Sequence, residues 1–298
     1  MMPRRRDEVR ACDAAFPAAY TGPMHTIAFI GGGNMASAIV GGLVGAGHPP
    51  ERIVVVEPGE SQRKVLAERF GVRTTAAADP SLADAALVVW AVKPQMFQIA
   101  AAPCRDYVGA ALHLSVMAGI RSDAIARAVA SERIVRAMPN TPALIGQGIA
   151  GLFARPAVTD ADRAQVEAVL AATGQTIWLD SEAALDAVTA LSGSGPAYVF
   201  HLVESMLEAA WRMGLDAAAA RRLAVQTLAG SAALVAASSD SPETLRRDVT
   251  SPNGTTQAAL AVFESRGVKA ALVEAILAAR DRARELGDEL GEGPGATG

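Results

Sequence analysis

Cysteine is nearly absent. Cys12 and Cys104 are the only two, and no CxxC pairs them. A disulfide framework and a cysteine-rich zinc site are therefore excluded, and a reducing, cytoplasmic setting is the expectation. Aromatic residues are scarce at 4%, so the core has to be built from aliphatic side chains and alanine. Neither sign of charge dominates: Lys+Arg 27 against Asp+Glu 31 leaves −4. That removes a chain-wide basic field, and with it nucleic acid as a partner. The four histidines, His25, His48, His113 and His201, show no metal-ligand spacing and no HExxH, so no metal is expected. GxSxG and the P-loop lysine motif are missing too, and no histidine sits in an evident acid/base pairing. The longest charge-free stretch, residues 26–50, contains Gly31-Gly32-Gly33-Asn34 and ends Gly47-His48-Pro49-Pro50. A membrane span of about 20 apolar residues would not be built that way, so no membrane partner is expected.

What remains is a folded composition, 51% hydrophobic and 19% charged, in 298 residues, enough for about two domains. Residues 1–23 stand apart. Arg4-Arg5-Arg6 opens them without an apolar stretch behind it, so the segment is not a secretory signal; it reads as a disordered extension, with Met24 as the alternative start. Residues 24–182 alternate strand and helix. Ile27–Ile30, Arg52–Glu57, Leu87–Val92, Leu112–Val116, Arg133–Ala137, Gly148–Phe153 and Gln175–Leu179 are the strand candidates. Asn34–Ala46, Ser61–Phe70 and Asp160–Ala172 have helical periodicity, the last with Thr159 as N-cap. This predicts an α/β fold: a Rossmann-like, doubly wound parallel sheet. Residues 183–286 read as all-helical. Ser194-Gly195-Pro196 opens one helix, and Val199, Leu202, Val203, Met206, Leu207 and Ala210 line one of its faces. Asp216–Ala236 is a second helix, Ser241-Pro242 caps a third, and Val268–Leu286 is apolar on more than one side. So small a helical region has little interior of its own, which implies a partner subunit. Residues 287–298 are expected as a disordered tail.

Gly31-Gly32-Gly33-Asn34-Met35-Ala36 fits G-x-G-x-x-A between a strand and a helix. Gly31 permits the tight turn, Gly33 lets backbone approach a pyrophosphate at the helix N-terminus, and small Ala36 allows close helix–strand packing. Glu57 ends the second strand, near the place about 20 residues on where an acid accepts from the adenosine ribose and repels a 2′-phosphate. Read alone it favours NADH; Arg63 or Lys64 in the next helix leaves a phosphate contact open. Ala91-Val92-Lys93-Pro94 ends the third apolar strand, where Lys93 is either a ligand contact or a solvated loop lysine. Three further segments read as loops after strands: Ser115–Gly119, Met138–Pro142 and Ser192–Tyr198. Last, Val249–Thr256 joins two helices. Its Asn253-Gly254 suits positive φ, and the N–H groups of Gly254, Thr255 and Thr256 would open the next helix as a carboxylate site or merely as a capped connection.

Taken together, Gly31–Ala36, Ala91–Pro94, Met138–Pro142, Leu191–Tyr198 and Ser251–Thr256 resemble pyrroline-5-carboxylate reductase, over about Met24 to Leu286. Leu245–Glu264, similar to the family's signature, is the most specific part. The resemblance implies NADPH- or NADH-dependent reduction of 1-pyrroline-5-carboxylate to L-proline, the last step of proline biosynthesis. It implies a Rossmann domain followed by a helical domain that interlocks into homodimers, which can build larger rings such as a decamer. It places Ile30, Gly31, Gly32, Gly33, Asn34 and Met35, Ala91, Val92, Lys93 and Pro94, and Val116, Met117 and Ala118 at cofactor contacts. Ser251, Gly254, Thr255 and Thr256 fall on the substrate loop, Thr256 matching the residue that hydrogen-bonds the pyrroline nitrogen. Two positions depart from the family: Asn253 stands for the first of a Gly-Gly pair, and Glu57 stands where NADPH-preferring members often carry Ser, Thr or Asn.

Rival readings are a related imine reductase, a β-hydroxyacid dehydrogenase-like enzyme and a non-catalytic dinucleotide-sensing dimer. The hydroxyacid enzymes carry a catalytic lysine early in the first long C-domain helix, and residues 195–213 contain none.

Overall fold

The computed structural model describes Gly22 and residues 24–291. Gly22 aside, the expected extension lies outside the described residues, as do residues 292–298 of the expected tail. The chain begins with β1 (Thr26–Ile30), α1 (Asn34–Gly45), β2 (Ile53–Val56), α2 (Glu60–Phe70), β3 (Arg73–Thr75) and β4 (Ala85–Trp90). The short helices α3 (Phe97–Ala101) and α4 (Arg105–Val108) lead to β5 (Leu112–Ser115), α5 (Ser122–Val129) and β6 (Ile134–Met138). Then come β7 (Gly148–Ala154), α6 (Asp160–Leu170), β8 (Gly174–Trp178) and α7 (Ala184–Val188).

The eight strands form one sheet in the order β3-β2-β1-β4-β5-β6-β7-β8. Chain order reverses between β1 and β4, which pair in parallel with Ile30 opposite Trp90. In open α/β sheets ligands bind beyond the carboxyl ends of the strands at such a switch. All pairings are parallel except β6 with β7. That exception corrects the all-parallel expectation, and chain length explains it. Residues 139–147 are too few for a parallel crossover of a dozen or more residues, so the chain must turn back. The turn is a 3-10 segment, Thr141–Ile145, closed by Gly146 in the left-handed region. β3 escapes sequence reading because Arg-Thr-Thr has no apolar signal on an edge strand.

Alternation along the strands feeds two cores. Ile27, Phe29, Val55, Leu87 and Leu114 pack with Ile39, Val40 and Val166 on one face. Ala28, Ile30, Val88 and Trp90 pack with Phe97, Val108 and Ile125 on the other. The N-cap of α6 is a full capping box of Thr159 and Asp162, as its sequence implies.

The helical region holds α8 (Gly195–Arg212), α9 (Ala217–Ala237), α10 (Pro242–Asp248), α11 (Thr255–Ser265) and α12 (Val268–Gly291). Ser192–Gly193 does not follow a strand: Thr189–Gly193 is a wide helical turn continuing α7, and Gly195-Pro196 already opens α8. The chain forms two compact units. One runs to Gly193 and resumes at Ala283; the other is Ser194–Arg282. α12 continues through Gly291, past the Gly287 where the tail is expected to begin. The reason is packing: Leu290 adds to the second core and Ala283 is buried.

Candidate active site

At the end of β1 the N–H of Gly31 donates to Val56 O at 2.8 Å, and the N–H of Ala91 donates to Ile30 O at 2.8 Å. These bonds tie the strand ends of β1, β2 and β4 into one floor. Gly31 sits at φ +97°, and a Cβ there would lie 2.6 Å from Ala91 O, so glycine is required twice over. Gly33 is the N-cap of α1, extended, with no side-chain cap and no acidic residue in the first turn. A Cβ built on Gly33 meets nothing within 4 Å. An uncapped helix start facing open space offers N–H groups and the positive end of the helix dipole to an anion.

Glu57 is fixed by two backbone donors. The N–H of Gly32 reaches Oε2 at 2.9 Å and that of Gly59 reaches Oε1 at 2.8 Å. Arg63 turns its guanidinium to the carbonyls of Glu57 and Pro58, at 2.8 and 2.7 Å. Lys64 pairs with Glu60 on the exposed side of α2 at 2.8 Å. Gln62 Nε2 donates to Gly32 O at 2.6 Å, a contact no sequence signal announces.

A cleft of about 470 Å³ opens over these groups, lined among others by Ile30, Gly31–Gly33, Glu57 and Ala91–Lys93. Asn34 and Met35 begin α1 beside it, and Pro94 starts the following 3-10 turn. Val116–Ala118 follow β5, the strand beside β4, and do not line this cleft. Cys104, also at its wall, is a buried thiol that burial pushes up to about 11, so it stays protonated.

In the helical unit, α10 and α11 are joined through Ser251-Pro252-Asn253-Gly254. Asn253 adopts φ +59°, the left-handed conformation its side chain tolerates best after glycine. The N–H of Gly254 donates back to Ser251 O at 3.1 Å, so it is spent inside the turn rather than offered outward. A Cβ on Gly254 would lie 2.5 Å from Ser251 Oγ. Gly254 caps α11 without any side-chain bond, and no acid occupies the first turn. Thr255 is exposed and Thr256 half-buried, as the first and second helical residues. The cap of this connection is therefore Gly254, and Thr256 is not a helix cap.

Sequence reading missed one buried polar cluster in the first unit. Glu182 Oε1 accepts from Arg136 Nη1 at 2.7 Å and from the N–H of Ser122 at 2.6 Å, while Oε2 takes the Ser122 hydroxyl at 2.6 Å. Burial pushes the Glu182 carboxyl up, but the Ser122 bonds and the Arg136 charge outweigh it and hold it below its usual range. Arg121 grips Asp186 with both terminal nitrogens, at 3.3 and 3.1 Å. The available signal was Arg136 inside the otherwise apolar strand Ile-Val-Arg-Ala-Met. His113 is also buried, accepting at Nδ1 from Trp90 Nε1 at 3.1 Å; burial and Arg133 hold it down to about 4, so it stays neutral. Among the described residues no group of three or more His, Cys, Asp or Glu could hold a metal, and no helix is long and apolar enough to cross a membrane.

Comparison with known proteins bears on both units. Residues 182–286 match the family model for pyrroline-5-carboxylate reductase dimerisation. Residues 26–119 match the model for NADP oxidoreductases, coenzyme F420-dependent. A pyrroline-5-carboxylate reductase of Pseudomonas aeruginosa is 42% identical over 271 residues, 89% of this chain and 98% of that protein. One from Haemophilus influenzae is 41% identical, over 87% and 97% of the two chains. The solved structure of a pyrroline-5-carboxylate reductase from Coxiella burnetii superposes with a TM-score of 0.82 at 38% identity, covering 89% of this chain and 99% of that one. A pyrroline carboxylate reductase of Plasmodium falciparum, solved with NADP bound, gives 0.81 at 26% identity, covering 91% of this chain and all of that one. With relatives this similar over nearly its whole length, the chain belongs to the pyrroline-5-carboxylate reductase family.

Proposed function

We propose that the protein reduces 1-pyrroline-5-carboxylate to L-proline with NADH or NADPH. The observation that carries this is the 42% identity to such a reductase over 89% of the chain. The two matching family models span the glycine turn and the Ser251–Thr256 loop between them. The rival enzymes and the non-catalytic dimer are not favoured by relatives that are named as reductases of this imine.

The cleft in the first unit fits a dinucleotide. The uncapped start of α1 suits a pyrophosphate, with Gly33, Asn34 and Met35 supplying backbone N–H groups, Gly31 and Gly32 shaping the turn with theirs already bonded to Val56 and Glu57, and Gly33 leaving room for the approach. Glu57 suits the adenosine ribose. Ile30 and Ala91–Pro94, at the ends of β1 and β4, suit the rest of the cofactor; Val116–Ala118, after the neighbouring β5, lie outside this cleft, with Met117 buried in the second core. When bound, the dihydronicotinamide supplies a hydride to the imine carbon.

The chain's own groups do the rest. The N–H groups of Thr255 and Thr256, at the uncapped start of α11, hold the substrate carboxylate, and Ser251 with Gly254 shapes the turn that presents them. The Thr256 hydroxyl hydrogen-bonds the ring nitrogen and holds its proton while the C=N bond becomes C–N. A cyclic imine is already partly protonated near neutral pH, so no strong protein acid is needed; orientation and exclusion of water are. The want of a paired catalytic histidine in the sequence agrees with this.

The match of residues 182–286 supports self-association. The assembly proposed is a homodimer, with association into a decameric ring as the finer reading. A cytoplasmic site and no nucleic-acid partner complete the reading, favoured by the scarcity of cysteine and the net charge of −4. The test is spectrophotometric: oxidation of NADH or NADPH on addition of pyrroline-5-carboxylate. No turnover with that imine, beside turnover of a 2-hydroxy acid, would overturn the proposal.

A further inference from the structure

We infer that this chain discriminates against the 2′-phosphorylated cofactor, and that the discriminating device is the Glu57 carboxylate, held between two loops while the cations at the start of α2 are committed elsewhere. The inference rests on the reading of the cleft as the nucleotide site. It goes further than the presence of an acid at a strand end, because it depends on where the neighbouring charges are committed.

Three observations converge. First, the carboxylate is preorganised: Gly32 N–H and Gly59 N–H each occupy one of its oxygens, at 2.9 and 2.8 Å. A carboxylate oxygen has a second lone pair, so ribose hydroxyls can still donate to it, whereas a 2′-phosphate brings only acceptors and negative charge. Turning Glu57 aside to admit a phosphate would break both backbone bonds. Second, both cations of α2 that could compensate already have partners, although bonds to neutral carbonyls orient the Arg63 guanidinium without cancelling its charge. Arg63 Nη1 is bonded to the carbonyls of Glu57 and Pro58, and Lys64 faces Glu60 on the outer side of α2. Third, the loop cannot yield easily. Gln62 Nε2 holds Gly32 O at 2.6 Å, and the Cβ position of Gly32 lies 2.6 Å from Leu66 Cδ1 and 3.3 Å from Glu57 Cβ. Glycine loop, acid and α2 are thus one interlocked piece, and charge repulsion acts at a fixed distance instead of being relaxed by side-chain motion.

The experiment is calorimetric titration of the full-length protein with NADH and with NADPH, imine absent. The expected result is tighter binding of NADH, by about tenfold or more, with the ratio shrinking as salt screens the repulsion. Glu57→Ser should move the ratio toward NADPH by about tenfold or more, and Glu57→Gln, uncharged but of the same shape, should move it in the same direction. NADPH binding to the wild-type protein as tightly as NADH overturns the inference, as does a ratio unchanged in both variants. If neither nucleotide binds, the nucleotide reading of the cleft falls and takes this with it. If the ratio is as expected but the imine is not reduced, the proposed reaction fails while the discrimination stands. The wild-type comparison needs no variant, so a variant that misfolds leaves the test intact.

Discussion

The two units bury their apolar residues very differently. In the first, β1, β2 and β4 are sealed between two helical layers, and Phe29, Trp90 and Leu87 are fully buried. In the second, Ala210, Ala220 and Ala224 are the buried apolar residues, while Phe200, Trp211, Leu234 and Leu272 are at 61%, 76%, 66% and 49% exposure. Large apolar side chains left in water over several helices mark a surface that is covered in the working protein. The sheet unit encloses two apolar cores of its own, whereas the helical unit leaves large apolar side chains exposed, as expected of a core borrowed from a second copy and in keeping with the dimerisation model that its sequence matches.

That contrast sets the largest expected effect. Leu272→Asp, in the apolar groove lined also by Phe263, Val273 and Leu277, should turn a dimeric or larger species into monomer with a much lower melting temperature, one that no longer rises with protein concentration as the wild type's should. Light scattering reads the mass, and a stable folded wild-type monomer at low micromolar concentration would contradict the borrowed-core view.

Within the sheet unit the sharpest probe is Glu182→Ala. It strands the Arg136 charge in the interior, which costs roughly 3–5 kcal/mol of stability, measurable by urea unfolding. Acid acts on the same pair. The folded Glu182 carboxyl lies below the unfolded value of 4.5. Its contribution is therefore complete above 4.5 and is lost as pH falls through the lower folded value. The alanine variant should lack that part of the acid dependence.

Thr256→Ala should lower turnover by about tenfold to a thousandfold, with Thr256→Ser retaining much of it, if the hydroxyl holds the ring nitrogen. Melting temperature should scarcely move, since the start of α11 has no side-chain cap to lose. An alanine variant that turns over normally sinks the assignment.

The smallest effect belongs to Gly32→Ala. Its methyl group would press on Leu66 Cδ1 at 2.6 Å, costing about 1–3 kcal/mol and weakening nucleotide binding through displaced Glu57. Unchanged binding would show that the interlock is looser than its distances.

What the sequence revealed follows from which forces leave a local trace. Ile27–Ile30, Ile53–Val56 and Leu87–Trp90 were legible because central parallel strands are apolar on both faces. The glycine turn was legible because positive φ and close approach admit almost nothing else. β3 was not, since an edge strand needs no apolar residue. The reversal at β7 was not read either, although the shortness of residues 139–147 held the clue. For Ser251–Thr256 the residues offered a carboxylate site or a capped connection, and only the resemblance chose between them, because a turn into a helix looks the same whether or not it binds anything. The Gln62 bond to Gly32 left no pattern at all, being set by loops brought together from distant sequence, and the bond from Gly59 to Glu57, though only two residues apart, carries no residue type that announces it.

The return of α12 to the first unit has a practical consequence for taking the protein apart. A single cut at Gly193 does not release a whole nucleotide-binding piece, because Ala283 and Leu290 stay behind on the other fragment. Gly119, whose Cβ position lies 3.0 Å from Leu290 Cδ1, would lose its cover, as would Arg121, which pairs with Asp288 at 3.6 Å. Halves expressed separately are each mismatched: one lacks its closing turns, and the other carries those turns of α12 without the core they cover. A minimal cofactor-binding protein would have to be spliced, residues 24–193 joined by a linker to 283–291, with the intervening helices removed.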